Sequence, residues 1–209
     1  MPKHGQLILV PTPLDDETLL EEGACRELSL AFERGDVIAV EDHKPARRRW
    51  LKWGLPREAI DQFVLYNEHT RSEQRPRLLS ELQSGRNVYL MSDEGLPAFC
   101  DPGQELVEAS HQKGLRVTSL PFANSVVLAL ALSGFPHEQF VFWGFPPKVK
   151  KERQEFYAQV IREKRTSILM DTPYRLGRVL EELANLSPER EMALACELGS
   201  SRERVVRGI

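Results

Sequence analysis

The stretch NVYLMSDEGLPAFCDPG (residues 87–103) limits the possible folds more than any other part of this chain. Val88, Tyr89, Leu90 and Met91 form a short apolar run that reads as a buried strand. It empties at once into a polar loop, Ser92 to Pro97, stiffened by Gly95 and Pro97. Asp101-Pro102-Gly103 then predicts a helix start, with Asp101 as N-cap and Pro102 at the first helical position. A buried strand ending in such a loop is where open α/β sheets place ligands, beyond the carboxyl ends of their strands.

The rest of the sequence repeats the pattern of strand, polar exit and helix. Apolar runs predict strands at residues 6–10, 36–40, 62–66 and 115–120, and helical spacing predicts helices at 17–32, 45–53, 76–83 and 102–112. Residues 126–132 are almost wholly apolar and are expected to form a buried helix ended by Gly134. Phe135-Pro136-His137 reads as a hinge. Beyond it come strands at 139–143, 165–170 and 191–196, helices at 150–163 and 173–185, and a β-like piece at 204–209. The class is α/β, with an N-terminal lobe at 1–134 and a C-terminal lobe at 135–209.

Composition narrows the function classes. Across 209 residues, 41% are hydrophobic and 28% charged, as in ordinary soluble globular proteins. No apolar run approaches membrane-spanning length, and the N-terminus lacks a charged-then-apolar leader, so membrane insertion and Sec-type export are not expected. Three well-separated cysteines (Cys25, Cys100, Cys196), with no paired metal-ligand spacing, predict reduced cytoplasmic thiols and no metal site. A net charge of −3 excludes a uniformly basic nucleic-acid binder but leaves room for a local basic face.

The strand exits carry the polar residues: Pro11 to Asp16, Glu41-Asp42-His43, Glu68-His69, Ser92 to Pro97, and Pro121 to Ser125. Exits that share one sheet edge would wall a single pocket. The first strand is followed by Pro-Thr-Pro and not by G-x-G-x-x-G, so a dinucleotide pyrophosphate site is not expected. Lys44 to Trp53 interleaves Arg47, Arg48, Arg49 and Lys52 with Trp50, the mix of cations and rings that single-stranded RNA recognition uses. The alternative is a helix with a solvated basic face and a core tryptophan. A second group, Lys148, Lys150, Lys151 and Arg153, reads as a solvated helix end, although cations there oppose the helix dipole.

In order along the chain, PTPL, EDHK-x3-RRWL, YNEH, SDEGLPAFCDPG, SGFP, FWGFPP, TPYRL and CEL resemble the tetrapyrrole methylase superfamily of S-adenosylmethionine (SAM) enzymes. The branch they are most similar to is the ribosomal RNA small-subunit methyltransferase I family, which methylates a cytidine ribose 2′-hydroxyl. The resemblance implies a two-lobed tetrapyrrole-methylase-like fold with SAM in a cleft between the lobes, rRNA or the small ribosomal subunit as partner, and a homodimer. It places Leu14, Asp93, Leu96, Asn124, Ser125 and Met170 at the cofactor. Methyl transfer to a hydroxyl needs alignment and a proton acceptor but no metal. Glu41, Asp42 and Glu68 follow strands near the expected pocket and are the candidates for that role, with His69 behind them.

Several positions depart from the family pattern. Leu14-Asp15-Asp16 stands where Ile-Gly-Asn is usual, Glu94 replaces a small residue, and Pro121 to Ser125 lacks a glycine. Cys196-Glu197-Leu198-Gly199-Ser200 stands for Arg-Glu-Leu-Thr-Lys, and the second lobe is either shortened or continues past Ile209. These changes leave two other readings open: a methyltransferase of the same fold acting on a small molecule or other acceptor, and a non-catalytic SAM-binding protein.

Overall fold

The computed structural model describes residues 4–122 and 124–209. The first series of elements is β1 (Gln6–Val10), α1 (Glu22–Glu33), β2 (Val37–Val40), α2 (His43–Lys52), β3 (Val64–Leu65), α3 (Arg71–Gln83), β4 (Val88–Met91), α4 (Gln104–Gln112) and β5 (Arg116–Ser119). The second is α5 (Ser125–Ser133), β6 (Phe140–Gly144), α6 (Lys150–Arg162), β7 (Thr166–Leu169), α7 (Leu176–Leu186), β8 (Met192–Cys196) and β9 (Arg204–Gly208). Every strand expected from the sequence is present. A 3₁₀ turn at Arg57–Gln62, which no hydrophobic period announces, precedes β3.

The first five strands form one parallel sheet in the order β3-β2-β4-β1-β5. Parallel strands need crossover helices, which cover both faces of the sheet, so its strands must be apolar on both sides. On one face Ile8, Val10, Ile38, Val40, Tyr89 and Met91 pack with Leu28 of α1 and Trp50 of α2. On the other, Leu7, Val37, Ala39, Val88 and Leu90 pack with Leu78 and Leu82 of α3 and Leu106 of α4. All four residues of β4 are buried, as the sequence predicts. The chain order reverses where β1 and β4 lie side by side, which makes their carboxyl ends the topological switch point.

Several helix starts differ from expectation, α1 opening at Glu22 where residue 17 was expected and α7 at Leu176 where residue 173 was expected. Helix α4 begins at Gln104 with Gly103 as its cap, so Asp101 is not the N-cap and Pro102 is not helical. Gly103 has φ 133°, and a Cβ there would lie 2.7 Å from Leu90 Cδ2. The chain must pass against β4 before it turns into the helix. Helix α3 starts earlier than predicted, with Pro76 inside it. Asn67 organises that turn: its Oδ1 accepts from the His69 and Thr70 amides, and its carbonyl accepts from the Arg71 amide.

By contacts the chain divides into two compact units, Met1–Phe122 and Ala123–Ile209. Within the second, β6 and β7 pair in parallel and β8 and β9 antiparallel. The boundary expected at 134/135 falls later than this division, because α5 packs on β8 and β9. Arg207 of β9 fixes the end of α5 by donating to the carbonyls of Ser133 (3.0 Å) and Gly134 (3.3 Å). Glu191 holds that guanidinium with both oxygens, at 2.7 and 2.9 Å, and it stacks over Phe135. Helix α5 is not buried all round as expected. Val126, Leu130 and Ser133 form its buried stripe, while Val127 and Leu132 face solvent. Among the described residues, no helix is long and apolar enough to cross a membrane.

Gly103→Ala tests the turn after β4. A side chain there needs both a rare backbone conformation and displacement of Leu90, so a loss of about 1–3 kcal/mol is expected in urea unfolding.

Candidate functional site

The exits of β1 and β4 are tied together beyond the strands themselves. Thr12 and Gly95 form an antiparallel bridge, with N–H to carbonyl distances of 2.8 and 3.1 Å. Leu14 then lies over Gly95, where a Cβ would sit 3.4 Å from Leu14 Cδ2. The loop after β4 is conformationally expensive. Ala98 and Cys100, neither a glycine, both have φ 63°, and Gly95 and Gly103 are also left-handed. Strain of this kind persists only where surrounding contacts over-determine it, and it gathers at ligand sites.

Within the first unit, carboxyl groups converge on this edge. The Asp93 amide donates to Glu41 Oε2 at 3.1 Å, joining the exits of β4 and β2. Asp93 Oδ1 is buried with no hydrogen-bond partner. Burial, then the charges of Glu41 and Asp42, push the Asp93 carboxyl up to about 6. Asp101 is pushed up to about 7, again by burial first and then by Glu41 and Asp93, against a hydrogen bond from Ser92 that lowers it. Two carboxyls raised toward neutrality, both coupled to Glu41, can accept or hold a proton under ordinary conditions.

The expected site residues separate as follows. Leu14, Asp93, Leu96 and Glu41 cluster at the β1, β2 and β4 exits. Asn124, Ser125 and Met170 belong to the second unit. Asn124 caps α5, its Oδ1 accepting from Val126 (2.9 Å) and Val127 (3.2 Å), and Ser125 opens that helix. Met170 follows β7, and its amide donates to the Gly144 carbonyl at 3.0 Å. Asp42 is a helix cap, its Oδ1 accepting from the Lys44 amide at 2.8 Å. Glu68 and His69 are exposed on the turn after β3. Ala123 lies outside the described residues.

The basic helix α2 does not form a single RNA-facing surface. Trp50 is wholly buried, with Nε1 donating to the Pro56 carbonyl at 2.8 Å, so it cannot stack on a base. Arg49 is also buried. Its Nη1 donates to the Pro13 carbonyl at 2.7 Å, and its Nη2 lies 3.3 Å from Asp16 Oδ1 and 3.4 Å from Glu94 Oε1. Arg48 pairs with Asp16 at 2.7 Å, and Lys52 donates to the carbonyls of Asp16 and Glu17. Arg47 is exposed. Two departures from the family pattern, Asp16 and Glu94, are therefore the partners of α2's arginines, and together they fasten the loop after β1 to the loop after β4.

Asp101 was not among the predicted site residues. Its sequence signal was its place in the same polar stretch as Asp93, but Asp-Pro-Gly is also a common helix opening.

The site's donor set fits a cationic, hydroxyl-rich ligand better than a phosphate. It offers an orphaned carboxylate oxygen on Asp93 and a group of carboxyls, where a phosphate cradle would offer glycine amides. Among the described residues, no set of three or more His, Cys, Asp or Glu side chains is arranged to hold a metal ion.

Two substitutions test these assignments. Arg49→Met leaves the Pro13 carbonyl without its donor and should cost about 1–3 kcal/mol in urea unfolding. Folding raises the Asp101 carboxyl above its unfolded value, so the folded chain keeps that proton to higher pH. The group therefore favours the fold below pH 4 and counts against it increasingly from about 4 to about 7. Asp101→Asn should raise the melting temperature relative to the parent more at pH 8 than at pH 5; a pH-independent difference would rule out this coupling.

Residues 6–208 match the family described as Tetrapyrrole (Corrin/Porphyrin) Methylases. The chain is 33% identical over 204 residues to the ribosomal RNA small subunit methyltransferase I of Halalkalibacterium halodurans, covering 98% of this chain and 68% of that protein. With the protein of the same name from Synechocystis it is 34% identical over 205 residues, covering 98% and 71%. Among solved structures, diphthine synthase superposes with a TM-score of 0.58 at 12% identity, covering 97% of this chain and 80% of that one. Uroporphyrin-III C-methyltransferase from Thermus thermophilus, complexed with S-adenyl homocysteine, gives 0.54 at 19%, covering 98% and 87%. The structural likenesses show the fold, and the sequence match shows the kinship: this chain belongs to the tetrapyrrole methylase family.

Proposed function

We propose that this protein is a SAM-dependent methyltransferase that methylates the ribose 2′-hydroxyl of a cytidine in small-subunit rRNA, working in the cytoplasm as a homodimer. The observation that carries the cofactor reading is Asp93, whose buried, unpartnered Oδ1 stands at the switch point of the sheet. Curated relatives about one-third identical over nearly the whole chain support the rRNA acceptor.

SAM, when bound, supplies a methyl group activated on a sulfonium. The chain's own residues do the rest. Leu14 and Leu96 provide the apolar contact beside the Thr12–Gly95 bridge, and the Asp93 carboxylate accepts hydroxyl hydrogens from the ligand. Glu41 keeps the Asp93 loop in place through the Asp93 amide and adds negative charge that favours a cation. Asp101, with its carboxyl near 7, takes the proton from the attacking hydroxyl. Of the carboxylates first considered for that step, Asp42 serves as a cap and Glu68 lies on the exposed turn after β3.

Calorimetric titration with SAM, and methyl transfer from labelled SAM to intact small subunits, test this reading. Asp93→Ala should weaken SAM binding by about tenfold or more, the worth of one good polar contact. Asp101→Asn should lower methyl transfer by roughly 100-fold while SAM affinity stays within a few-fold. No binding at high micromolar SAM would refute the enzyme, and transfer only to small molecules in cell extract would refute the rRNA acceptor.

A further inference from the structure

We propose that the single-stranded RNA contact surface lies on the second unit, on a platform formed by the turn after β6 and the turn after β7; this rests on the RNA reading above. Helix α2 of the first unit is a poor candidate. Its tryptophan is buried, and Arg48, Arg49 and Lys52 are engaged by Asp16, Glu17, Glu94 and Pro13.

The second unit has the opposite arrangement. Phe145 is 47% exposed and Tyr174 is 99% exposed, beside exposed Lys148, Lys150 and Lys151. Among the described residues, no ion pair engages these three lysines. The turns that carry them are fastened by arginines from within. Arg175 Nη2 donates to the Pro146 carbonyl at 2.7 Å, so the Tyr174 turn is joined to the Phe145 turn. Arg153, itself buried, donates to the carbonyls of Pro147 (3.2 Å) and Lys148 (2.8 Å). Glu182 grips Arg153 with both oxygens at 2.7 and 2.8 Å, and Asp171 pairs with Arg175 at 3.2 Å.

The structure thus uses its arginines as internal ties and leaves the lysines and rings on the outside. Lysines in the first turn of α6 oppose the helix dipole, so helix stability does not account for them. Cations for phosphates and exposed rings for bases match single-stranded RNA, whose unstacked bases offer π-faces along a charged backbone. The platform also sits where an acceptor is needed. Met170, assigned above to the cofactor, is hydrogen-bonded to Gly144, immediately before Phe145, and Tyr174 lies on the turn that Met170 opens.

The test uses the full chain with a labelled, cytidine-containing single-stranded RNA 20-mer, intact small subunits and, as a rival anion, poly-glutamate. Tyr174→Ala should weaken RNA binding by about 5- to 150-fold, the range for loss of one base stack. Changing Lys148, Lys150 and Lys151 together to Gln should lower the slope of log affinity against log salt by about 2, near 0.7 per lost phosphate contact. SAM affinity and melting temperature should be unchanged in both, and Lys113→Gln, which removes an exposed cation at the end of α4, should bind RNA as the parent does. RNA binding that survives both platform variants overturns the platform alone. No RNA binding by the unmutated chain overturns the RNA reading with it. Poly-glutamate bound as tightly as RNA, or loss of self-association in Tyr174→Ala, would assign the surface to a protein partner and overturn the proposal.

Discussion

The side-by-side pairing of β1 and β4 is the constraint on which the first unit depends. Both strands are central and packed on both faces, so they are largely apolar and the charged groups gather beyond the strand ends. The Thr12–Gly95 bridge carries that pairing one step past the sheet, fixing two loops against each other before either has met a ligand. From there the site follows. Leu14 and Asp93 are brought to one point, and Glu41 arrives from β2, the strand on the other side of β4.

Much of this was legible in the sequence. Strand β4, the start of α6 and the end of α4 match expectation because apolar runs and glycine stops report local structure directly. The Asp-Pro-Gly triplet misled for an instructive reason. It satisfies the rules for a helix start, but Leu90 leaves no room for a side chain at residue 103, and the helix waits for the chain to clear the strand. Residue types in α2 suggested a nucleic-acid face, and only packing reveals that Trp50 and Arg49 point inward. Asp101 was hidden because its coupling to Glu41 depends on β2 and β4 being neighbours, which local sequence does not show.

The substituted positions also make sense as a group. Asp16 and Glu94 look like separate disturbances of two ligand loops when read along the chain. In the fold both face the Arg49 guanidinium, so they amount to one exchange in which carboxylates replace neutral residues as the means of holding the loops. The carboxyls at the site feel this exchange without pairing with it: Asp93 and Asp101 have no arginine as a direct partner among the described ion pairs, but the Arg49 charge lowers Asp93 and the Glu94 charge raises Asp101.

Arg207 adds a kinetic dimension to the second unit. Its bond to the Ser133 carbonyl spans a sequence separation of 74 residues, so the end of α5 is completed by a strand made long after the helix. Closing a loop of that length before any contact rewards it is slow. On the ribosome, the sheet of the first unit has all its strands before β9 is synthesised, while α5 must wait with its apolar side uncovered. The order of synthesis therefore makes the second unit the later half of the chain to complete its packing.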